Sequence, residues 1–161
     1  MSNIAMTRLI PITRENAHHA LAIKAGKEDV CFLHYNTHWI GHHIANERIK
    51  CDLIEHNNSF VGIVAYGPAF QDGYLLVPEA QEVAELHHLL IQPESQRSGI
   101  GQQVVQQVAQ YLLQQGHTQL RVAHHPEAEK AAKFYQKLGF HEISKNYEDD
   151  TMLSIQLSDL S

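Results

Sequence analysis

Residues 81–115 constrain the fold more than any other stretch. An apolar run from about Gln81 to Ile91 stops at Pro93, passes through Glu94-Ser95-Gln96-Arg97-Ser98-Gly99-Ile100-Gly101, and gives way to helical periodicity. Proline has no N–H to offer a sheet ladder, so the first part is predicted to end there as a strand. From Gly99 to Gln115 the apolar residues Ile100, Val104, Val105, Val108, Ala109 and Leu112 recur at the spacing of an amphipathic helix, with Gly116 as its stop. Gln102, Gln103, Gln106, Gln107, Gln110 and Gln114 then read as a solvated helix face. A strand that feeds straight into a helix must lie in a sheet covered by that helix, which places the chain among layered folds of both element types.

The remaining segments extend this pattern. Arg8–Ile12 suits a first strand. Thr13 is placed to cap a helix through about Lys24, and Asp29 to cap a second to about Glu47, with Phe32, Leu33, Tyr35, Trp39, Ile40 and Ile44 on one apolar side. Cys51–His56 and Phe60–Ala69 read as strands joined by Asn57-Asn58-Ser59, since Asn tolerates the left-handed conformation of a tight hairpin. Thr118–Ala123 is a strand. Pro126 opens a helix to Leu138 that Gly139 ends, and Phe140–Ser144 with Met152–Leu157 form a terminal hairpin. Hairpins mixed with strand–helix–strand crossovers require a mixed sheet. With 161 residues, 43% of them hydrophobic, and no repeat or linker composition, a single domain over residues 1–161 is expected.

Charge narrows the function classes. The formal net charge is −6, and no basic cluster is dense enough to neutralise a row of phosphates, which argues against a nucleic-acid partner. No run of apolar residues approaches a membrane span, and Met1–Thr13 lacks a signal-peptide core. Cys31 and Cys51 are too few for a disulfide framework and form no C-x-x-C, so a reducing cytoplasm is the expected location. The thirteen histidines are enough to reverse the sign of the net charge once protonated, so electrostatic behaviour should change as pH falls through about 6.5.

A glycine-containing turn at a helix N-terminus presents free backbone N–H groups and the positive end of the helix dipole, a site suited to a phosphate or pyrophosphate; a tight turn without a ligand is the other reading of Gly99 and Gly101. No G-x-x-x-x-G-K-[ST] occurs, and a dinucleotide fingerprint would need glycine where Val104 stands. Gln96-Arg97-Ser98-Gly99-Ile100-Gly101 resembles the acyl-CoA pyrophosphate loop, Q/R-x-x-G-x-G/A, of the GNAT acyltransferase superfamily. Ala131-x-x-Phe134-Tyr135-x-Lys137-Leu138-Gly139-Phe140 resembles that superfamily's second motif, in the right order and about thirty residues on. The recognisable match covers roughly Val83–Leu157. Where the family often has Asn, seven residues before the Tyr, this chain has Ala128, with His124 and His125 nearby.

The resemblance implies an α/β (mixed α+β) fold, with a central, mostly antiparallel sheet of about seven strands flanked by about four helices. It also implies transfer of an acetyl group from acetyl-CoA to an amine by direct attack in a ternary complex, with acetyl-CoA as acyl donor and no metal. Gln96, Arg97, Ser98, Gly99, Ile100, Gly101 and Gln102 would hold the cofactor's phosphates. Backbone N–H groups near Leu89, Leu90 and Ile91 would face the thioester. A lysine-like amine at pH 7 needs roughly 4–5 kcal/mol to reach its neutral, attacking form, so a base is valuable. Strand alternation puts Glu85, His87, Leu89 and Ile91 on one side and His88 on the other. Glu85 is the first choice for the base and His87 the alternative, while a solvated strand mouth is the plain structural reading of both. Tyr135 occupies the position of the family's usual acid for the leaving thiolate, and otherwise reads as a core aromatic.

His34, His38 and His42 recur every four residues on the second helix. Successive members drift about 40° around the helix, so the three do not converge on one ion, and they read as structural, solvated or acceptor-lining groups rather than a metal site. The expected partners are a small-molecule or peptide amine acceptor, with a second copy of the chain an option and neither nucleic acid nor membrane. Transfer of a longer acyl chain and an acyl-CoA-binding sensor without turnover are the alternatives. The acidic Glu148-Asp149-Asp150 turn fits a cationic acceptor or simply a soluble hairpin tip.

Overall fold

The computed structural model describes residues 6–25, 34–71, 79–96, 98–145 and 149–160. In chain order these form β1 (Thr7–Pro11), α1 (Ala17–Leu21), α2 (His34–Ala45), β2 (Lys50–His56), β3 (Ser59–Pro68), β4 (Val83–Ile91), α3 (Ile100–Gln114), β5 (Gln119–His124), α4 (Glu129–Leu138), β6 (His141–Lys145) and β7 (Thr151–Gln156). The strands make a seven-stranded sheet in the order β1-β2-β3-β4-β5-β7-β6. The pairs β1–β2, β2–β3, β5–β7 and β6–β7 are antiparallel, and β4–β5 is parallel. A parallel neighbour needs a crossover of a dozen or more residues, which α3 supplies. The mixed, mostly antiparallel α/β arrangement expected from the sequence is therefore present.

By its internal contacts the chain divides into two compact units, Met1–Tyr66 with His88–Gln107, and Gly67–His87 with Val108–Ser161. In the first, Ile12, Ala20, Ile23, Cys51, Leu53, Ile63, Ala65 and Leu90 form a buried cluster, with Trp39, Ile40 and Phe60 packed against it. Asn57 and Asn58 take φ of 51° and 68°, the two left-handed residues that a two-residue hairpin requires. In the second, Leu120, Val122, Leu153, Ile155 and Leu157 are buried. Both long C-terminal helices stop on left-handed glycines, Gly116 after α3 (φ 95°) and Gly139 after α4 (φ 106°). The His117 N–H reaches the Leu112 carbonyl and the Phe140 N–H the Tyr135 carbonyl, so each stop is a six-to-one closure that satisfies a helix-end acceptor. Ile100, Val104, Val105, Val108, Ala109 and Leu112 are all buried, as the periodicity requires.

Several expected boundaries shift. α1 ends at Leu21 rather than near Lys24, and its cap is Asn16, not Thr13. The Asn16 carboxamide instead turns back, accepting from the Thr13 N–H at 2.7 Å and donating to the Pro11 carbonyl at 3.0 Å, so the chain spends residues 13–16 on a turn. α4 begins at Glu129, not Pro126, because His125–Ala128 closes a turn first. α2 ends at Ala45, and Ile44 is 78% exposed instead of lying on the apolar side; the inward position is taken by Asn36. Asp29, Cys31, Phe32 and Leu33, the side chain of His34, Arg97 and Glu148 lie outside the described residues.

Candidate active site

β4 carries Glu85, His87, Leu89, Leu90 and Ile91 of the residues expected at the site. Its burial alternates residue by residue: Ala84, Leu86, His88 and Leu90 are buried, and Glu85, Leu89 and Ile91 are partly exposed, as is His87 taken with its backbone although its side chain is covered. That is the two-sided strand expected from the period of two. His88 faces the first unit's interior, where its Nε2 lies 2.7 Å from Asn36 Oδ1, and the Asn36 amide donates to the Ala20 carbonyl. A buried Asn on α2 thus serves a buried His on β4.

Glu85 and His87 sit in a network that the sequence reading did not find. Glu85 pairs in register with Arg121 on β5, and Arg121 Nη2 donates to Glu85 Oε1 at 3.2 Å. The same guanidinium donates through Nη1 to Glu79 Oε1 at 3.1 Å and through Nη2 to the Phe70 carbonyl at 3.1 Å. The other Glu85 oxygen, Oε2, lies 3.3 Å from His87 Nδ1, and His87 Nε2 lies 3.1 Å from the Pro68 carbonyl oxygen. The His87 ring is 1% exposed and stacks on Phe70 with centroids 5.1 Å apart. Burial pushes the Glu85 carboxyl up, but the hydrogen bond and charge of His87 and the Arg121 guanidinium outweigh it, so the group is held below its usual range as a carboxylate. Arg121 left no signal in the sequence, because its partner is set by the parallel register of β4 and β5.

Tyr135 lies in the last turn of α4, 7% exposed, with its ring edge-on to Phe134 at 5.0 Å and to Phe140 at 5.4 Å. The contact with Phe140 is the apolar pair that accompanies the glycine stop, so the Phe-Tyr-x-Lys-Leu-Gly-Phe run fixes the phenol by helix termination as well as by burial. Burial raises its pKa, and the phenol stays protonated at neutral pH.

In the first unit the turn after β4 is held by its own side chains. Gln96 Nε2 donates to the Ile91 carbonyl and Ser98 Oγ to the Ser95 carbonyl, both at 2.7 Å. Gly99 has φ of 83°, which an L side chain resists, and its carbonyl accepts the first helical bond, from the Gln103 N–H. The N–H groups of Ile100, Gly101 and Gln102 accordingly open the helix, where no intrahelical acceptor exists. A Cβ on Gly99 would meet no heavy atom within 4 Å, so the conformation and not crowding requires glycine there.

Leu89, Leu90 and Ile91 lie beyond the part of β4 that is laddered to β5, which covers Val83–Leu86 against Gln119–Val122. Towards β3, Ala69 N–H reaches the Val83 carbonyl and Gln92 N–H the Val61 carbonyl. Gly62, a second residue missed from sequence, permits the approach: a Cβ there would collide with the Leu90 carbonyl oxygen.

The His38 and His42 rings meet edge to face with centroids 4.5 Å apart, and Tyr35 lies edge-on to His38. Among the described residues there is no group of three or more side chains able to hold a metal, and no helix long and apolar enough to cross a membrane.

The profile of the Acetyltransferase (GNAT) family matches residues 14–140. No curated protein matches. Among solved structures, the chain is similar to an acetyltransferase from Thermus thermophilus (22% identity, TM-score 0.73, covering 94% of this chain and 97% of that one). It is also similar to the PaiA N-acetyltransferase of Thermoplasma acidophilum in complex with coenzyme A (16%, TM-score 0.67, 97% and 99%). A third is the spermidine N-acetyltransferase of Vibrio cholerae in complex with CoA and spermine (16%, TM-score 0.69, 99% of each chain). With the pyrophosphate-type loop, the glycine-stopped Tyr135 helix and a profile match across most of the sequence, the chain belongs to the GNAT acetyltransferase family.

Proposed function

We propose that the chain is a single-domain N-acetyltransferase of the cytoplasm that moves the acetyl group of acetyl-CoA to a primary amine by direct attack. The observation that carries the reading is the passage from β4 to α3, where Gly99 turns the chain so that unpaired N–H groups open a fifteen-residue helix. These residues fit a pyrophosphate: Ile100, Gly101 and Gln102 would hold it by backbone N–H groups, with Gln96 and Ser98 fixing the turn and Arg97 adding charge. The N–H groups near Leu89 and Leu90 are suited to the thioester oxygen, where negative charge develops. Glu85 and His87 would take the proton from the amine, and Tyr135 would supply one to the departing thiolate.

The acceptor is a small-molecule or peptide amine. Spermidine and spermine are the first to try, given the likeness to the Vibrio cholerae structure. Release of free CoA thiol from acetyl-CoA is measured against a panel of polyamines, amino acids and lysine peptides, with mass detection of the acetylated amine. Thiol and acetylated amine formed in equal amounts are expected. Acetyl-CoA binding without turnover on any amine would establish the sensor reading instead, and faster turnover of longer acyl-CoA donors would replace acetyl as the group transferred.

A further inference from the structure

Glu85 was expected to act as the base, yet both of its oxygens are already engaged, and the network of Arg121 shows how the work is divided. His87 meets an acceptor at each nitrogen, the Pro68 carbonyl oxygen at Nε2 and Glu85 Oε2 at Nδ1. Only an imidazolium can donate to both. When the pair gives up its proton, Nδ1 and Oε2 confront each other as two acceptors, and what then holds the carboxylate in place is its second oxygen on Arg121. Facing the pair are Arg121 from β5, the Phe70 ring and Pro68 carbonyl from the end of β3 and the residues after it, and Glu79 across the guanidinium. One arginine is shared by two carboxylates, so removing it takes away the positive charge that both of them face. The Nε N–H of Arg121 is buried and has no hydrogen-bond partner among the described residues, so the guanidinium is held by its three other bonds, all within this network.

We propose that Arg121 is a positioning residue for the Glu85–His87 pair: it holds Glu85 as a fixed carboxylate, so that the proton taken from the acceptor amine comes to rest on His87. The proposal rests on the acetyl-transfer reading above. As the N–C bond forms and the C–S bond breaks, the acceptor nitrogen loses one proton to the pair while the thiolate gains one from Tyr135. The pair's proton later passes to solvent, and the phenol is reprotonated from solvent. Glu85 is the member of the pair with access, its side chain 19% exposed against 1% for His87, so the proton enters by the carboxylate and is relayed inward.

The test is NMR of the side-chain carboxyl carbons across a pH series, with the Glu85 signal identified by its loss in Glu85→Gln. In Arg121→Gln the midpoint of the Glu85 signal should rise by about one pH unit, because the guanidinium is one of the groups that hold this carboxyl below its usual range. Arg121→Lys should restore most of the shift, and Glu79→Gln, which leaves the arginine to Glu85 alone, should move the midpoint down. The acid limb of kcat/KM, measured with an amine that the wild type acetylates, should move with the NMR midpoint in each variant. An unmoved midpoint in a folded Arg121→Gln protein overturns the proposal; if that variant does not fold, an unmoved midpoint in Glu79→Gln does so. Failure of the wild type to acetylate any amine overturns the acetyl-transfer reading itself, whatever the carboxyl signals show, so the two failures are distinguishable.

Discussion

Asp52 is the residue whose placement is hardest to reconcile with ordinary burial rules. It is 3% exposed on β2, accepts from the Tyr66 hydroxyl through Oδ2, and has no hydrogen-bond partner for Oδ1 among the described residues. Burial raises its pKa against the opposing pull of Tyr66, Lys50 and His43. A carboxyl with a raised folded-state pKa favours the fold most below its unfolded value, about 4, and that contribution is lost as pH rises through the folded value. Asp52→Asn removes the titration, and any cost of an unpaired amide is the same at every pH. Thermal melts should therefore shift in the variant's favour from pH 4 to pH 8, and a difference in melting temperature that stays constant over that range would contradict the raised folded-state pKa. Tyr135 is the opposite case, an ionisable group whose burial suits the acid role proposed for it. Tyr135→Phe keeps the ring between Phe134 and Phe140. The melting temperature should hold and acetyl-CoA affinity should change little, while kcat falls by about 10² or more, since the proton matters only as the thioester breaks. A kcat near wild type would reduce Tyr135 to a packing residue.

At the scale of elements, the two helix stops differ in a way that can be measured. Gly116 and Gly139 are both left-handed, but a Cβ at 116 would meet only the Gln81 amide at 4.0 Å, whereas one at 139 would press on Ile155 Cδ1 at 3.2 Å. Gly116→Ala carries backbone strain alone, about 1 kcal/mol; Gly139→Ala adds a contact in the core and should cost about 2 kcal/mol by denaturant melts. Equal losses would mean that Ile155 yields without cost. The start of α3 is tested by ligand instead. Gly101→Val places a branched side chain in the first turn, where phosphates are proposed to approach the N–H groups, and should weaken acetyl-CoA binding at least tenfold, about 1.4 kcal/mol, by calorimetry. Unchanged affinity in a folded variant would remove the loop from the cofactor site. Both elements were legible in the sequence because their punctuation is local: a glycine is needed wherever φ turns positive, and the apolar face of α3 repeats within a single helix. The starts of α1 and α4 were not, because Asn16 and residues 125–128 hydrogen-bond into turns whose competition with helix no periodicity records.

For the whole molecule, the thirteen histidines raise the question of metal dependence. Their described placements divide among unrelated tasks: His88 bonds Asn36, His87 bonds Glu85, His43 lies 2.7 Å from the Ile49 carbonyl, and His38 meets His42 edge to face. Extended treatment with a chelator should leave melting temperature and acetyl transfer unchanged, and a large loss of either would reveal an ion that these placements do not account for. The sequence by itself determined the strand–turn–helix of residues 83–114, the alternation that sets Glu85 and His87 opposite His88, the glycine stops and the mixed sheet. Each of these follows from periodicity or from a conformational demand within a few residues. Only the tertiary structure decided that Arg121, thirty-six residues from Glu85 in the chain, grips its carboxylate, that Gly62 meets the Leu90 carbonyl, and that Asn36 rather than Ile44 turns inward. Those outcomes depend on which strands become neighbours and in what register, and such long-range pairing fixes a side chain's partner without leaving a pattern in its own stretch of sequence.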